Sequence, residues 1–107
     1  MSNLALIHDV LRLVQPKLTV EVVTTLVEGP QRYTDLVRIM TLTTGETVHP
    51  RTLIENLRRL QENGIVEHCT TAQDGAVYQL TTKGHELVGL LSKIERWGQD
   101  HSESFDR

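Results

Sequence analysis

The run Ala72-Gln73-Asp74-Gly75 constrains this chain most. It separates Ile65 to Thr71 from Ala76 to Leu80, and an Asp-Gly step between two such segments is a strong β-hairpin signal. The other periodic stretches read as helix, so the fold is decided by which helices stand on either side of this hairpin.

Upstream, Leu4, Ile7, Val10, Leu11 and Val14 recur at helical spacing and predict a helix over about 3–14. Leu6 and Leu13 widen its apolar arc to about half the circumference, leaving His8, Asp9 and Arg12 as the wet side. Pro16 closes it. Thr19 is expected to cap a second helix, about 20–28, stopped by Glu28-Gly29-Pro30. That segment is rich in β-branched residues and would suit a strand, but Val22, Val23, Leu26 and Val27 keep the 3.6 period. Thr34 is the expected N-cap of a short helix, 35–41, with Leu36, Val37 and Met40 inward, followed by a polar loop over 41–47. Pro50 suits the first turn of a helix over about 50–63, with Leu53, Ile54, Leu57 and Leu60 as its buried stripe and Asn63-Gly64 as its stop. After the hairpin, Thr81 caps a helix over about 82–98 carrying Leu87, Leu90, Leu91, Ile94 and Trp97. The polar tail from Gln99 to Arg107 is expected to fray.

A helix pair joined by a turn and followed by a hairpin describes a winged helix-turn-helix, a mostly α fold with one small β-hairpin (α+β). Helix 35–41 would support, 50–63 would be the recognition helix, and 65–80 the wing. At 107 residues one domain is expected, since single domains run to roughly 100–150.

Composition narrows the class. Apolar residues at 38% and charged residues at 23% argue against disorder or a fibrous repeat. The longest apolar run is Leu4 to Ile7, and the start, Met1-Ser2-Asn3-Leu4, lacks the pattern of a secretory signal. One cysteine, Cys69, cannot form an internal disulfide. A soluble, cytoplasmic protein without a membrane partner is expected. The net charge of −3 argues against nucleic-acid binding by bulk charge alone. Its distribution is more informative: residues 29–69 balance five acids with five bases, and all five bases are arginine, the side chain best suited to phosphate and guanine.

On helix 50–63, Arg51, Thr52, Glu55, Arg58 and Arg59 lie away from the leucine stripe. In a major groove, the first turns supply base contacts, which makes His49, Arg51, Thr52 and Glu55 candidates; Asn56 is placed to read adenine, and Arg58 and Arg59 to hold phosphate. Arg32 and Thr34 at the supporting helix and Gln73 at the wing tip complete the candidate DNA-binding set. The competing reading is a solvated face with Glu55–Arg59 and Arg58–Glu62 pairs at i,i+4. The wing tip holds no Lys or Arg, and phosphate would repel Asp74. Five histidines and Cys69 show no CxxC or HxxxH spacing, so neither metal nor cofactor is expected. No G-x-S-x-G, phosphate loop or motif-placed carboxylate pair is present, so the chain is not expected to be an enzyme.

The string Glu28-Gly29-Pro30-Gln31-Arg32-Tyr33-Thr34-Asp35-Leu36 resembles the G-x-x-R-F/Y-x-D/E-L signature of the HxlR family of bacterial winged-helix transcription regulators. Leu53-Ile54-Glu55-Asn56-Leu57-Arg58-Arg59-Leu60 with Asn63-Gly64-Ile65-Val66 is similar to its L-T/S-x-x-L-K/R-x-L-x-x-x-G-L/I-V/I. Val77 to Leu87 resembles V-x-Y-x-L-T-x-x-G-x-x-L, with the valine directly before Tyr78, and Trp97-Gly98 resembles the closing W-G/A. Four departures stand out. The N-terminal sensing cysteine of some members is absent, and Pro16-Lys17-Leu18 replaces G-K-W. Thr41 to Gly45 lengthen the turn, and Ile54 replaces Thr or Ser.

The resemblance implies a dimeric, sequence-specific regulator of double-stranded DNA that reads an inverted repeat, with the N- and C-terminal helices as dimerisation helices. Leu4, Ile7, Leu11 and Val14 would face the protomer's own core, leaving Leu6, Val10 and Leu13, with Leu90, Ile94 and Trp97, for the homodimer interface. Two alternatives stay open: a winged-helix module that binds protein, favoured by the acidic balance, and a regulator holding an unidentified small-molecule effector between its terminal helices.

Overall fold

The structure, a computed structural model, describes residues 3–105. Its elements run α1 (Leu4–Val14), α2 (Thr19–Val27), α3 (Tyr33–Thr44), α4 (Pro50–Glu62), β1 (Val66–Thr71), β2 (Gly75–Leu80) and α5 (Thr82–Asp100), followed by a 3-10 turn at Ser102–Phe105. This is the expected winged helix-turn-helix. Met1 and Ser2, part of the start read for a secretory signal, and Asp106 and Arg107, the end of the expected frayed tail, lie outside the described residues.

The entry to α2 differs from expectation. Thr19 does not cap the helix but is its first residue, fully buried. The cap position belongs to Leu18, which takes a left-handed φ of 73° that L side chains rarely adopt, with its side chain buried in the core. α3 is longer than predicted at both ends. Arg32, not Thr34, precedes it, and it continues through the expected loop to Thr44. The hydroxyls of Thr41, Thr43 and Thr44 donate to the carbonyls of Val37, Ile39 and Met40 one turn back, each at 2.8 Å, which lets a threonine-rich stretch remain helical. Gly45, at φ 72°, ends it with a left-handed cap.

α2 is the central element, packed on α3, α5 and β2. Its Val22, Val23 and Leu26 meet Leu36 and Met40 of α3, Leu53, Leu57 and Leu60 of α4, and Leu87 of α5 in one core. The hairpin is antiparallel, with Val66 opposite Leu80 and Thr71 opposite Gly75. At its tip the Thr71 hydroxyl accepts the Asp74 N–H, and Gly75 supplies the positive φ that closes the turn. Gln31 and Tyr78 exchange two main-chain hydrogen bonds, of 2.9 and 2.8 Å, which tie the wing to the α2–α3 link.

The terminal helices stand partly away from this core. Among the described residues α1 has no buried residue, and the hydrophobic side chains it packs on the core are Leu13 and Val14 at its C-terminal end. The expected division of its faces is therefore corrected. Leu4, Ile7 and Leu11, assigned to the core, are exposed, whereas Leu13, assigned to an interface, is half-buried on the domain. The radius of gyration, 15.0 Å, exceeds the roughly 13 Å of a compact chain this long. The C-terminal part of α5 exposes Leu90, Ile94 and Trp97. Beyond it, the segment expected to fray folds back, with His101 stacked on Trp97 and Phe105 against the same ring edge-to-face.

The wing meets the first turn of α5 at Gly84. A Cβ there would lie 2.2 Å from the Ile65 carbonyl oxygen, a main-chain atom that also accepts the Thr81 N–H and has little room to retreat. Gly84→Ala is expected to lower stability by about 1–3 kcal/mol in denaturant titration. Gly89→Ala on the same helix meets nothing within 4 Å and should be neutral or stabilising by about 0.5–1 kcal/mol.

Candidate nucleic-acid interface

α4 begins at His49, whose backbone is extended and whose carbonyl accepts the Leu53 N–H, with Pro50 in the first turn. Val48, just upstream, is buried and pins this start to the core. The inward stripe is Leu53, Asn56, Leu57 and Leu60, at i, i+3, i+4 and i+7. Ile54, expected in the stripe, is 44% exposed: the buried arc extends from the leucines toward Asn56, on the side away from Ile54.

Opposite the stripe, Arg51, Glu55, Arg58 and Glu62 fall along one exposed meridian of the helix. Among the described residues neither Arg51 nor Arg58 has a carboxylate within 4.0 Å; the ion pairs present are Arg12–Asp9, Arg32–Asp35 and Arg38–Asp35. The Glu55–Arg59 and Arg58–Glu62 pairs of the solvated-face reading are not formed. His49, at the N-cap, is exposed and Thr52 half-buried. Arg32 and Thr34 lie exposed at the start of α3, Arg32 donating to Asp35 at 3.0 Å. Gln73 and Asp74 are exposed at the wing tip.

Two expected contact residues are engaged within the chain, Asn56 buried and Arg59 half-buried. Asn56 is 5% exposed: its amide donates to the Lys17 carbonyl at 2.6 Å and to the Thr19 hydroxyl at 3.1 Å, so no edge is free to read adenine. Arg59 folds back to donate to the Leu13 carbonyl at 2.6 Å and to the Thr19 hydroxyl at 2.7 Å, and burial lowers its pKa from the ordinary guanidinium value. It is withdrawn from the phosphate-facing set. Thr19 was missed as a partner because its sequence position suggested a helix cap.

A part-enclosed hollow of about 360 Å3 lies beside the first turn of α4, walled by Leu18, Glu21, Glu46, Val48 and Thr52. Another, of about 290 Å3, lies between α2 and α5. α1 lines neither, so neither is the space between terminal helices expected for an effector. Cys69 is half-buried on β1 opposite Val77. No helix among the described residues is long and apolar enough to cross a membrane.

A sequence profile of the HxlR-like helix-turn-helix matches residues 13–106. The chain belongs to that family. It is 28% identical over 79 residues to an uncharacterized HTH-type transcriptional regulator, MJ0925, of Methanocaldococcus jannaschii, spanning 74% of this chain and 69% of that protein. Among solved structures it resembles a transcriptional regulator of the MarR family from Enterococcus faecalis V583, at TM-score 0.80 and 23% identity over 97% of this chain and 92% of the other. It also resembles an HTH-type transcriptional regulator, ytcD, at TM-score 0.77 and 25% identity over 96% and 99%. The protein is thus a helix-turn-helix transcriptional regulator of the HxlR-like family.

In this HxlR-like domain, internal and outward side chains of α4 should separate in a stability assay. Asn56→Ala leaves the Lys17 carbonyl without its donor and is expected to cost about 1–3 kcal/mol. Arg51→Ala, on the exposed meridian, should stay within about 0.5 kcal/mol of the parent in the same denaturant titration.

Proposed function

We propose that this HxlR-like protein is a two-fold dimer that regulates transcription by reading an inverted repeat in double-stranded DNA, with α4 in the major groove. The observation that carries this reading is the pair of arginines, Arg51 and Arg58, on the outermost line of α4 without a carboxylate partner among the described residues. Arg51, in the first turn of the helix, suits bidentate contact with guanine; Arg58, two turns further on, suits phosphate. His49, Thr52 and Glu55 flank Arg51 as the remaining base-edge contacts, and Glu55 suits a cytosine amino group. Arg32 and Thr34 approach the backbone from the start of α3. The Arg32–Asp35 pair is solvent-exposed and worth little, so phosphate can displace the carboxylate.

The dimer is supported by apolar surface that one protomer leaves uncovered. α1 exposes Leu4, Leu6, Ile7, Val10 and Leu11, and α5 exposes Leu90, Ile94 and Trp97. Contiguous apolar faces of this kind mark interaction surfaces. Pairing of α1 and α5 with their copies would cover both and hold two recognition helices about 34 Å apart, one turn of DNA. Asp74, acidic at the wing tip, favours a second reading in which the fold binds protein and not DNA.

Selection of bound sequences from a random duplex pool, followed by salt-titrated binding, separates these readings. An inverted repeat and a negative salt slope are expected. Arg51→Ala should then lose about 1–3 kcal/mol at one base pair per half-site, while Arg58→Ala weakens all sequences alike and flattens the slope by about one per protomer. Salt-independent or absent binding of duplex would favour the protein-binding module. In light scattering at micromolar concentration the wild type should show twice its 12.1 kDa chain mass, and Leu6→Glu with Val10→Glu should give a folded monomer. A wild-type mass of 12.1 kDa contradicts the dimer.

A further inference from the structure

The polar cluster of buried Thr19 and Asn56 with half-buried Arg59 joins two helices that the proposed function uses for different purposes. α1 carries apolar surface for a second copy, and α4 carries the groove-facing arginines. Among the described residues, α1 packs its side chains on the core through Leu13 and Val14 and is hydrogen-bonded to this cluster at the Leu13 carbonyl. Arg59 reaches from α4 to the Leu13 carbonyl, at the end of α1 where the helix dipole is negative, and its second guanidinium nitrogen donates to Thr19. The same Thr19 hydroxyl accepts from Asn56, whose amide also holds the Lys17 carbonyl in the α1–α2 turn. Three points along the exit from α1 are therefore tied to one face of α4. No carboxylate lies within 4.0 Å of Arg59 among the described residues, so its charge is held by neutral acceptors in fixed directions, which a planar fork satisfies and an ammonium does not.

A helix held at one end acts as a lever. The 11 residues of α1 span about 16 Å, so a tilt of about 15° at its base moves the far end by about 4 Å. That exceeds the rise of one base pair, about 3.4 Å.

We infer that Thr19, Asn56 and Arg59 are positioning residues that clamp α1 to α4 and thereby fix the spacing between half-sites that the dimer accepts. The inference rests on the dimeric reading above.

The test uses Thr19→Val, which keeps the shape and removes the shared hydroxyl, and Arg59→Lys, which keeps the charge and removes the fork. Three readouts apply: affinity for a single half-site, affinity for inverted repeats with the spacer varied by one base pair at a time, and an α1–α4 distance distribution. The distance comes from spin labels at His8→Cys and Gln61→Cys, two exposed positions, in a Cys69→Ser background diluted with unlabelled protein. In both variants half-site affinity should stay within twofold of the parent. The preference for the best spacer should fall at least fivefold and the distance distribution should broaden. A narrow distribution with an unchanged spacer preference overturns the clamp. So does an equal loss on half-site and repeat with a narrow distribution, which would mark the cluster as a stability element only. A wild type indifferent to spacing overturns the dimeric reading, and broadening in the variants would still locate the clamp. Arg59→Lys carries the test if Thr19→Val fails to fold.

Discussion

α4 is seated by a stripe that is apolar except at Asn56, and much of the molecule follows from burying that one amide. A buried carboxamide is costly unless it finds partners, and Leu53, Leu57 and Leu60 offer none. The partners lie in the α1–α2 turn, at the Lys17 carbonyl and the Thr19 hydroxyl. Bringing them within reach accompanies the left-handed backbone at Leu18, which buries that side chain, and draws Thr19 into the interior. Arg59 completes the cluster. With Asn56 and Arg59 turned inward, Arg51, Glu55 and Arg58 are left as the outward edge of α4.

An acidic chain can present a DNA-facing surface because charge acts locally. The Debye length is about 8 Å at physiological ionic strength, so only acids farther than that from α4 are largely screened from it; Glu21, in the wall of the hollow beside its first turn, is not. Over residues 29–69 the formal charge is balanced, and at α3 a single carboxylate, Asp35, is shared by two arginines, Arg32 and Arg38, which leaves that end net positive. The acidic wing tip sets a limit on this arrangement. It gives the wing no electrostatic hold on phosphate, so the proposed contact rests on the arginines of α4 and of the start of α3.

Much of the fold was legible because its signals were local. Asp74-Gly75, Asn63-Gly64, Pro50 and Thr81 each fix a boundary through their own backbone preferences, and the structure places hairpin, stop, start and cap there. α3 was misjudged because Thr43 and Thr44 look like loop residues until their hydroxyls bond back to the preceding turn, and Leu42, 74% exposed, contributes no inward stripe. At the site, the outward positions of Arg51, Glu55 and Arg58 followed from periodicity. Asn56 was also legible, since i, i+3, i+4 and i+7 from Leu53 include it, but its polarity suggested a contact and not a buried hydrogen bond. Arg59 was not legible. Its direction depends on Leu13 and Thr19, 46 and 40 residues away. The faces of α1 were misassigned for a similar reason: periodicity shows that a helix has an apolar face but not which part of it the rest of the chain reaches.

Placement of α4 from two protomers in successive major grooves is tested most directly by guanine-N7 methylation interference on the selected duplex. Methyl groups at N7 stand in the major groove, so binding should be blocked at two clusters related by two-fold symmetry, with centres about 10 base pairs apart. A single cluster, or binding indifferent to N7 methylation, would contradict it.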